Sequence, residues 1–350
     1  MKIKLFALLM ALLMTLSLVS CSLPDESDDD RSDKKDKTTQ DADDDENKED
    51  DESEEDDKTD DDSIFEGGPI GSPLLYKVTD GEGDVIWLFG SIHAGRDSFY
   101  PLPDYVEDAF ESSDALAVEF DIVDFESNYI AQLTSQTILM YKGGKQITDV
   151  ISDDLYNEAL EILEESGKYV RGLEMYYPIM WSSMIDNCSN DEIGANTDLG
   201  IDRHLINKAY DDDKEIIDIE SATIQYKMFA NFSEELQIFM LEDSIEKYRD
   251  LDSYEEAFDD MLDAWETGDA GGIVDGLDHD VDFTKEEIEL YEEYYDELVV
   301  ERNETMTEFA VDALESGDET FICVGAAHVM GEDGMAAALA ELGYTVEIVK

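Results

Sequence analysis

Two short stretches of this 350-residue chain carry the residue types that chemistry needs, Gly90-Ser-Ile-His93 and Gly325-Ala-Ala-His328. Each closes an apolar run, Asp84-Val-Ile-Trp-Leu-Phe-Gly90 and Thr320-Phe-Ile-Cys-Val-Gly325, of the kind that suits a strand buried on both faces. In open α/β sheets ligands bind in the crevice at the carboxyl ends of the strands, so both imidazoles are expected at its rim. Gly90 and Gly325 let the backbone bend and approach closely there. A third Gly-x-x-His, Gly276-Leu-Asp-His279, sits in a polar, glycine-rich stretch with no strand before it and is read as a decoy. His204, within Asp202-Arg-His-Leu-Ile, reads as the polar face of a helix.

Glu119 is set inside a second apolar run, Ala115-Leu-Ala-Val-Glu-Phe120. An ionised carboxylate is costly to bury unpaired, so Glu119 needs a nearby cation or a place at the strand end. Alternation also allows an edge strand that exposes Glu119 and Asp121 on one face. Two imidazoles and one carboxylate make a three-ligand set for a divalent metal, with a position left for water.

The elements that must bring these residues together are legible in outline. Leu102-Pro103-Asp104 is a helix start, and Val106, Ala109 and Phe110 fall on one face of that helix. From Ser127 to about Met306 the pattern is helical, with segments at Asp153–Glu165, Asp202–Tyr210, Ser233–Lys247, Ser253–Glu266 and Thr284–Leu314, the last with a break. Between them Glu215-Ile-Ile-Asp-Ile-Glu220 alternates like a short strand, and a helix at Gly334–Leu342 and a strand at Tyr344–Val349 come after the second motif. The expected fold is α/β, with parallel strands. It is a duplicated strand-helix-strand core with the two Gly-x-x-His motifs at strand ends and a helical insertion between the halves. A generic βαβ arrangement would give the same order.

Charge and cysteine usage bound the rest. The chain has 92 acidic and 23 basic residues and a net charge of −69, which excludes nucleic acid as a partner because no basic face exists to neutralise phosphate. Residues 1–20 have the charged start and short apolar core of a signal peptide. The run ends in Leu18-Val19-Ser20-Cys21, which resembles a lipobox and makes Cys21 the expected site of lipid attachment; an ordinary signal peptide beside a coincidental cysteine is the alternative. Residues 21–66 form an acidic linker whose stretch from Pro24 to Asp62 has no aromatic residue and reads as a solvated spacer. Residues 67–350 are the folded domain. Cys323 reads as a small buried hydrophobe, with a disulfide to Cys188 as the lesser alternative.

As an ordered set, the two Gly-x-x-His motifs, Ala117-Val-Glu-Phe-Asp121, Gly200-Ile-Asp-Arg-His-Leu-Ile-Asn-Lys-Ala209 leading to Ile219-Glu220 and Gln225, and Glu301-Arg-Asn303 resemble the TraB/GumN family. That family is related to the Tiki ectodomains and more remotely to erythromycin esterase and the ChaN haem-binding lipoproteins. The resemblance covers nearly all of residues 70 to 350. It implies a metal site of His93, Glu119 and His328, with Arg302 at the arginine of the family's Arg-Asn pair and Glu220 at its central acidic position; Asp202 is expected around the ligands as well. Family members related to Tiki are described as metalloproteases using manganese or cobalt. The extreme acidity is a departure that the family does not require.

The expected activity is therefore hydrolysis of peptides by a lipid-anchored protein on the extracytoplasmic face of a cell membrane, with manganese, cobalt or zinc as the divalent metal. His93 and His328 would hold the metal, Glu119 would be a third ligand or the base that activates water, and Arg302 would neutralise the developing oxyanion. The alternative is a protein of the same fold that binds a peptide or haem without turning it over, since two facing histidines can ligate iron.

Overall fold

The computed structural model describes residues 70–274 and 284–350; Cys21, the acidic linker and His279 lie outside them. Strands β1 (Leu75–Thr79), β2 (Val85–Ser91), β3 (Ala115–Val118), β4 (Glu215–Asp218), β5 (Thr320–Gly325) and β6 (Thr345–Val349) form one sheet in the order β4-β3-β5-β2-β1-β6. The four strands from β4 to β2 run parallel; β1 runs antiparallel to them, and β6, antiparallel to β1, returns to their direction at the edge. Every residue of β5 is buried and β6, at the edge, is only partly covered, which is the burial that a continuous apolar run and an alternating one dictate.

The parallel core is as expected, but the sheet is mixed. The apolar run before β2 is too short, and too interrupted by Lys77, to announce β1. It pairs because the Asp80-Gly-Glu-Gly-Asp84 turn folds it back, with Asp80 Oδ1 accepting the N–H groups of Glu82, Gly83 and Asp84. The two strand-helix-strand segments interleave. β5 lies between β2 and β3, and β6 lies beyond β1 on the far side. The strands carrying the two histidine motifs are thus immediate neighbours, with Ser91 opposite Gly325.

Helix Asp104–Ser112 starts after Pro103 and buries Val106, Ala109 and Phe110 against the sheet, as its spacing predicts. Helices Asp153–Glu165, Ile201–Asp211, Glu234–Arg249 and Leu251–Thr267 match the polar-break reading to within two residues at each end. Ser152 and Ser233 cap two of them through their hydroxyls. Helix Pro178–Ile193 is buried around most of its circumference, so it lacks the one-sided stripe that marks an amphipathic helix. The break expected within Thr284–Leu314 is a π-helical turn, Asp296–Val300, between helices Lys285–Tyr295 and Glu301–Ser316. Such turns are frequent at functional sites, and this one ends two residues before Arg302.

One core surrounds the sheet, where Phe89 meets Trp265 and Phe321 edge-on. A second lies among the helices around Trp181, Ile185, Met240 and Tyr294. Cys323 belongs to the first and Cys188 to the second, and both are free thiols. The buried-hydrophobe reading of Cys323 holds and the disulfide alternative does not. No helix among the described residues is long and apolar enough to cross a membrane.

Candidate functional site

The carboxyl ends of β2, β3 and β5 converge on one crevice, lined by Ser91, His93, Val118, Glu119, Phe120, Ile122, Asp202 and Cys323. The two motif glycines do different work. A Cβ on Gly90 would lie 2.8 Å from Ala326 Cα, so the glycine of the first motif is the space into which the second motif packs. Trp265 Nε1–H also donates to the Gly90 carbonyl at 2.8 Å, fixing the strand end. Gly325 instead presents its backbone N–H, which donates to Glu119 Oε1 at 2.9 Å. Gly90→Ala is expected to cost about 1–3 kcal/mol by overpacking backbone against backbone, read as a lower urea midpoint at unchanged slope.

His93 is buried, and its Nδ1 lies 2.6 Å from Asp202 Oδ2. Asp202 is placed by the start of helix Ile201–Asp211, whose first N–H donates to the Ile92 carbonyl at 2.9 Å. Gly200 makes that docking possible, since a Cβ there would sit 2.7 Å from the His93 carbonyl oxygen. Burial disfavours the imidazolium, but the Asp202 carboxylate overcomes this and holds the His93 pKa above its ordinary value. With Nδ1 turned to Asp202, Nε2 is the nitrogen left for the crevice, and no side chain among the described residues bonds to it.

Glu119 lies just past the end of β3, an interior strand, so the exposed-edge alternative is excluded. Asp121 does not share its surroundings, because its carboxylate caps the next helix through the N–H groups of Val123 and Asp124. The cation that a buried Glu119 demands is Arg302, whose Nη2 donates to Glu119 Oε2 at 2.6 Å. Gln225 Nε2 donates to the same oxygen at 2.9 Å. Burial alone would raise the Glu119 pKa; Arg302, aided by the Gly325 N–H, outweighs it and holds the carboxyl well below the usual range.

All five N–H groups of Arg302 have acceptors. Nε donates to Glu220 Oε1 at 3.0 Å, Nη2 to Glu220 Oε2 at 3.0 Å and to Glu119, and Nη1 to the Leu298 carbonyl at 3.3 Å and to His328 Nε2 at 2.9 Å. His328 is 0% exposed, and its Nδ1 lies 2.7 Å from Asn303 Oδ1. Arginine only donates, so His328 Nε2 is the acceptor and Nδ1–H the donor. Burial and the adjacent guanidinium push the His328 pKa down to about 3, which keeps the ring neutral.

The structure therefore gathers Glu119, Glu220, Arg302 and His328 into one network and sets His93 with Asp202 on the same crevice as Glu119. His93 Nε2 and the Glu119 carboxylate are donors that suit a divalent ion, and a histidine held by a carboxylate at its other nitrogen is a common support for one. His328 does not fit as placed, because its only lone pair accepts from Arg302. Among the described residues no three His, Cys, Asp or Glu side chains are spaced as a ligand group. His204 stands apart: it stacks on Tyr100 with ring centroids 4.4 Å apart, and its Nε2 is buried without a partner. Ser91 and Cys323 also line the crevice, and the sequence does not single them out because nothing about a serine or cysteine in an apolar strand tells which face it uses.

No curated protein and no solved structure matches the chain. Residues 74–348, which span every residue of the network and all but the last residue of the sheet, match the TraB/PrgY/gumN family, and the chain belongs to that family.

Proposed function

We propose that this protein is a metal-dependent hydrolase of peptides, held outside a membrane by a lipid on Cys21. The observation that carries the reading is the His93–Asp202 pair with Nε2 turned to a crevice that Glu119 shares. A bound manganese, cobalt or zinc ion would supply an activated water and polarise a carbonyl. Asp202 fixes the tautomer of His93 and so decides which nitrogen faces the substrate. Glu119 accepts hydrogens from Arg302, Gln225 and Gly325, an environment that stabilises the anion and suits a ligand better than a proton acceptor. Arg302 and Gln225 position that carboxylate. Peptide as the substrate class rests on the resemblance to the Tiki ectodomains. No observation favours haem, whose two axial imidazoles would require His328 to leave a fully buried position.

Elemental analysis of protein purified without added metal, followed by a peptide-library cleavage screen, tests the reading. His93→Ala should lower metal content and cleavage together, with metal affinity falling at least about tenfold. Cleavage that survives full removal of metal would sink the proposal, as would a strong absorption band near the blue edge of the visible spectrum. Cys21→Ala should move the protein from the membrane to the soluble or secreted fraction, because stable anchoring needs the acyl chains. Retention of that variant in washed membranes would show that something else holds it.

A further inference from the structure

Helix Tyr129–Gln136 presents its faces in reverse. Its buried side chains are Gln132 and Ser135, whereas Tyr129, Ile130 and Leu133 are 56%, 70% and 43% exposed. An ordinary surface helix turns its apolar stripe inward and its polar face to water. Gln132 holds this one in place, its Nε2 donating to the carbonyls of Phe125 at 2.9 Å and Glu126 at 2.5 Å. The sequence around it has the same character: residues 127–141 include no aspartate, glutamate, lysine or arginine, in a chain that is 33% charged. Comparable uncharged runs, 85–95 and 320–331, lie in the largely buried strands and turns of the two histidine motifs. Clustered apolar side chains left in water mark a contact surface, where single ones do not.

The face adjoins the crevice. Helix Ile122–Ser127 starts with Ile122 in the crevice wall, and its later residues supply the carbonyls that hold Gln132. Helix Ala222–Asn231 packs against Tyr129–Gln136 and carries Gln225, the partner of Glu119, next to the exposed Ile224. At the start of Ile122–Ser127 three carboxylates gather: the Asp121 N–H donates to Asp218 Oδ1 at 2.9 Å, and the exposed Asp124 stands close by.

We propose that the exposed face of helix Tyr129–Gln136, with Ile224 on the helix packed against it, docks the substrate chain of the crevice and selects peptides that carry apolar side chains next to a lysine or arginine. The inference rests on the peptide reading above and deepens it by naming which peptides. Tyr129, Ile130 and Leu133 let aliphatic and aromatic side chains leave water, and the Asp121, Asp124 and Asp218 group attracts the flanking cation. The same charge argues against other occupants. At a net charge of −69 a second copy and an anionic membrane surface are both repelled. The stretch from Pro24 to Asp62 has no apolar residue beyond Pro24 and Ala42 with which to cover the face.

The test is fluorescence anisotropy of the full chain bearing Cys21→Ala with three labelled peptides of equal length: leucine and phenylalanine flanked by lysine, the same residues flanked by glutamate, and glycine and serine flanked by lysine. The first should bind about tenfold or more tightly than either of the others, and Ile130→Ser with Leu133→Ser should remove that advantage. The thermal midpoint of this variant should stay close to that of the wild type, because both side chains are already exposed. Asp124→Asn with Asp218→Asn should weaken the first peptide about threefold, and less at high salt. Equal affinity for the three peptides, or an advantage that survives the double serine substitution, would overturn the docking face. Unchanged affinity in the asparagine variant would overturn the basic flank. Flotation with phosphatidylcholine vesicles, or dimerisation in sedimentation, that the serine substitutions abolish while peptide binding persists would assign the face to a membrane or to a second copy instead. Binding is read without catalysis, so a protein that binds the first peptide and cleaves nothing keeps the docking face and loses the hydrolase reading, and one that cleaves without this preference does the reverse.

Discussion

Asp186→Asn is expected to flatten the dependence of stability on pH and to make the protein more stable than the wild type at about pH 8, above the pH at which Asp186 loses its proton. Asp186 lies on helix Pro178–Ile193, is 6% exposed, and has no hydrogen-bond partner for either oxygen. Lys247, Asp243 and Ser244 face it from helix Glu234–Arg249, Tyr254 from helix Leu251–Thr267, and Tyr294 from helix Lys285–Tyr295. The Ser244 hydroxyl is engaged with Ser182 and the Met240 carbonyl. Lys247 is itself 0% exposed and pairs with Asp243 at 2.6 Å. One buried cation thus serves two buried carboxylates, and Asp186 holds its proton up to about pH 7.

Burial pushes the Asp186 pKa up to about 7, with Lys247 opposing the shift and Asp243 adding to it. A carboxyl that holds its proton more tightly folded than unfolded stabilises the fold below its ordinary pKa, and that contribution is lost as pH rises through about 7. Over roughly three pH units at about 1.4 kcal/mol each, the loss is on the order of 4 kcal/mol. Asparagine cannot ionise, so the variant escapes it. Urea midpoints of both proteins across the acidic to mildly alkaline range provide the comparison, which also subtracts the general repulsion of so acidic a surface. Parallel curves for the two proteins would mean that Asp186 is ionised throughout or open to water.

Glu220→Leu should destabilise the protein by about 3–5 kcal/mol, the cost of leaving a buried ion with part of its partners removed. Glu220 supplies acceptors for both Nε and Nη2 of Arg302, and both side chains are buried, so water cannot readily replace the lost carboxylate. Glu220→Leu with Arg302→Met should cost less than the sum of the single changes, since the arginine substitution then strands only Glu119 instead of both Glu119 and Glu220. Urea unfolding of the two single variants and the double variant closes the cycle. Additive losses would place Glu220 and Arg302 in separate roles.

What the sequence determined was set by local patterns. Period and capping placed β2, β5, the helix that buries Val106, Ala109 and Phe110, and the helix that starts after Ser152. Apolar context singled out His93, which lines the crevice, and His328, which accepts from Arg302, over the motif at His279, which lies outside the described residues. The demand that a buried Glu119 find a cation was legible too, because desolvation depends on burial alone. Which cation met it was not. Arg302 lies 183 positions away, and its choice of Glu119, Glu220 and His328 depends on the π-turn before it and on the order in which the strands interleave. The same holds for Lys247 beneath Asp186, where an i, i+4 pair that reads as a solvated surface contact is sealed between helices. Helices and strands arise from hydrogen bonds and side-chain periods a few residues long, whereas the partners of a buried polar group are fixed only when distant elements pack and water is excluded.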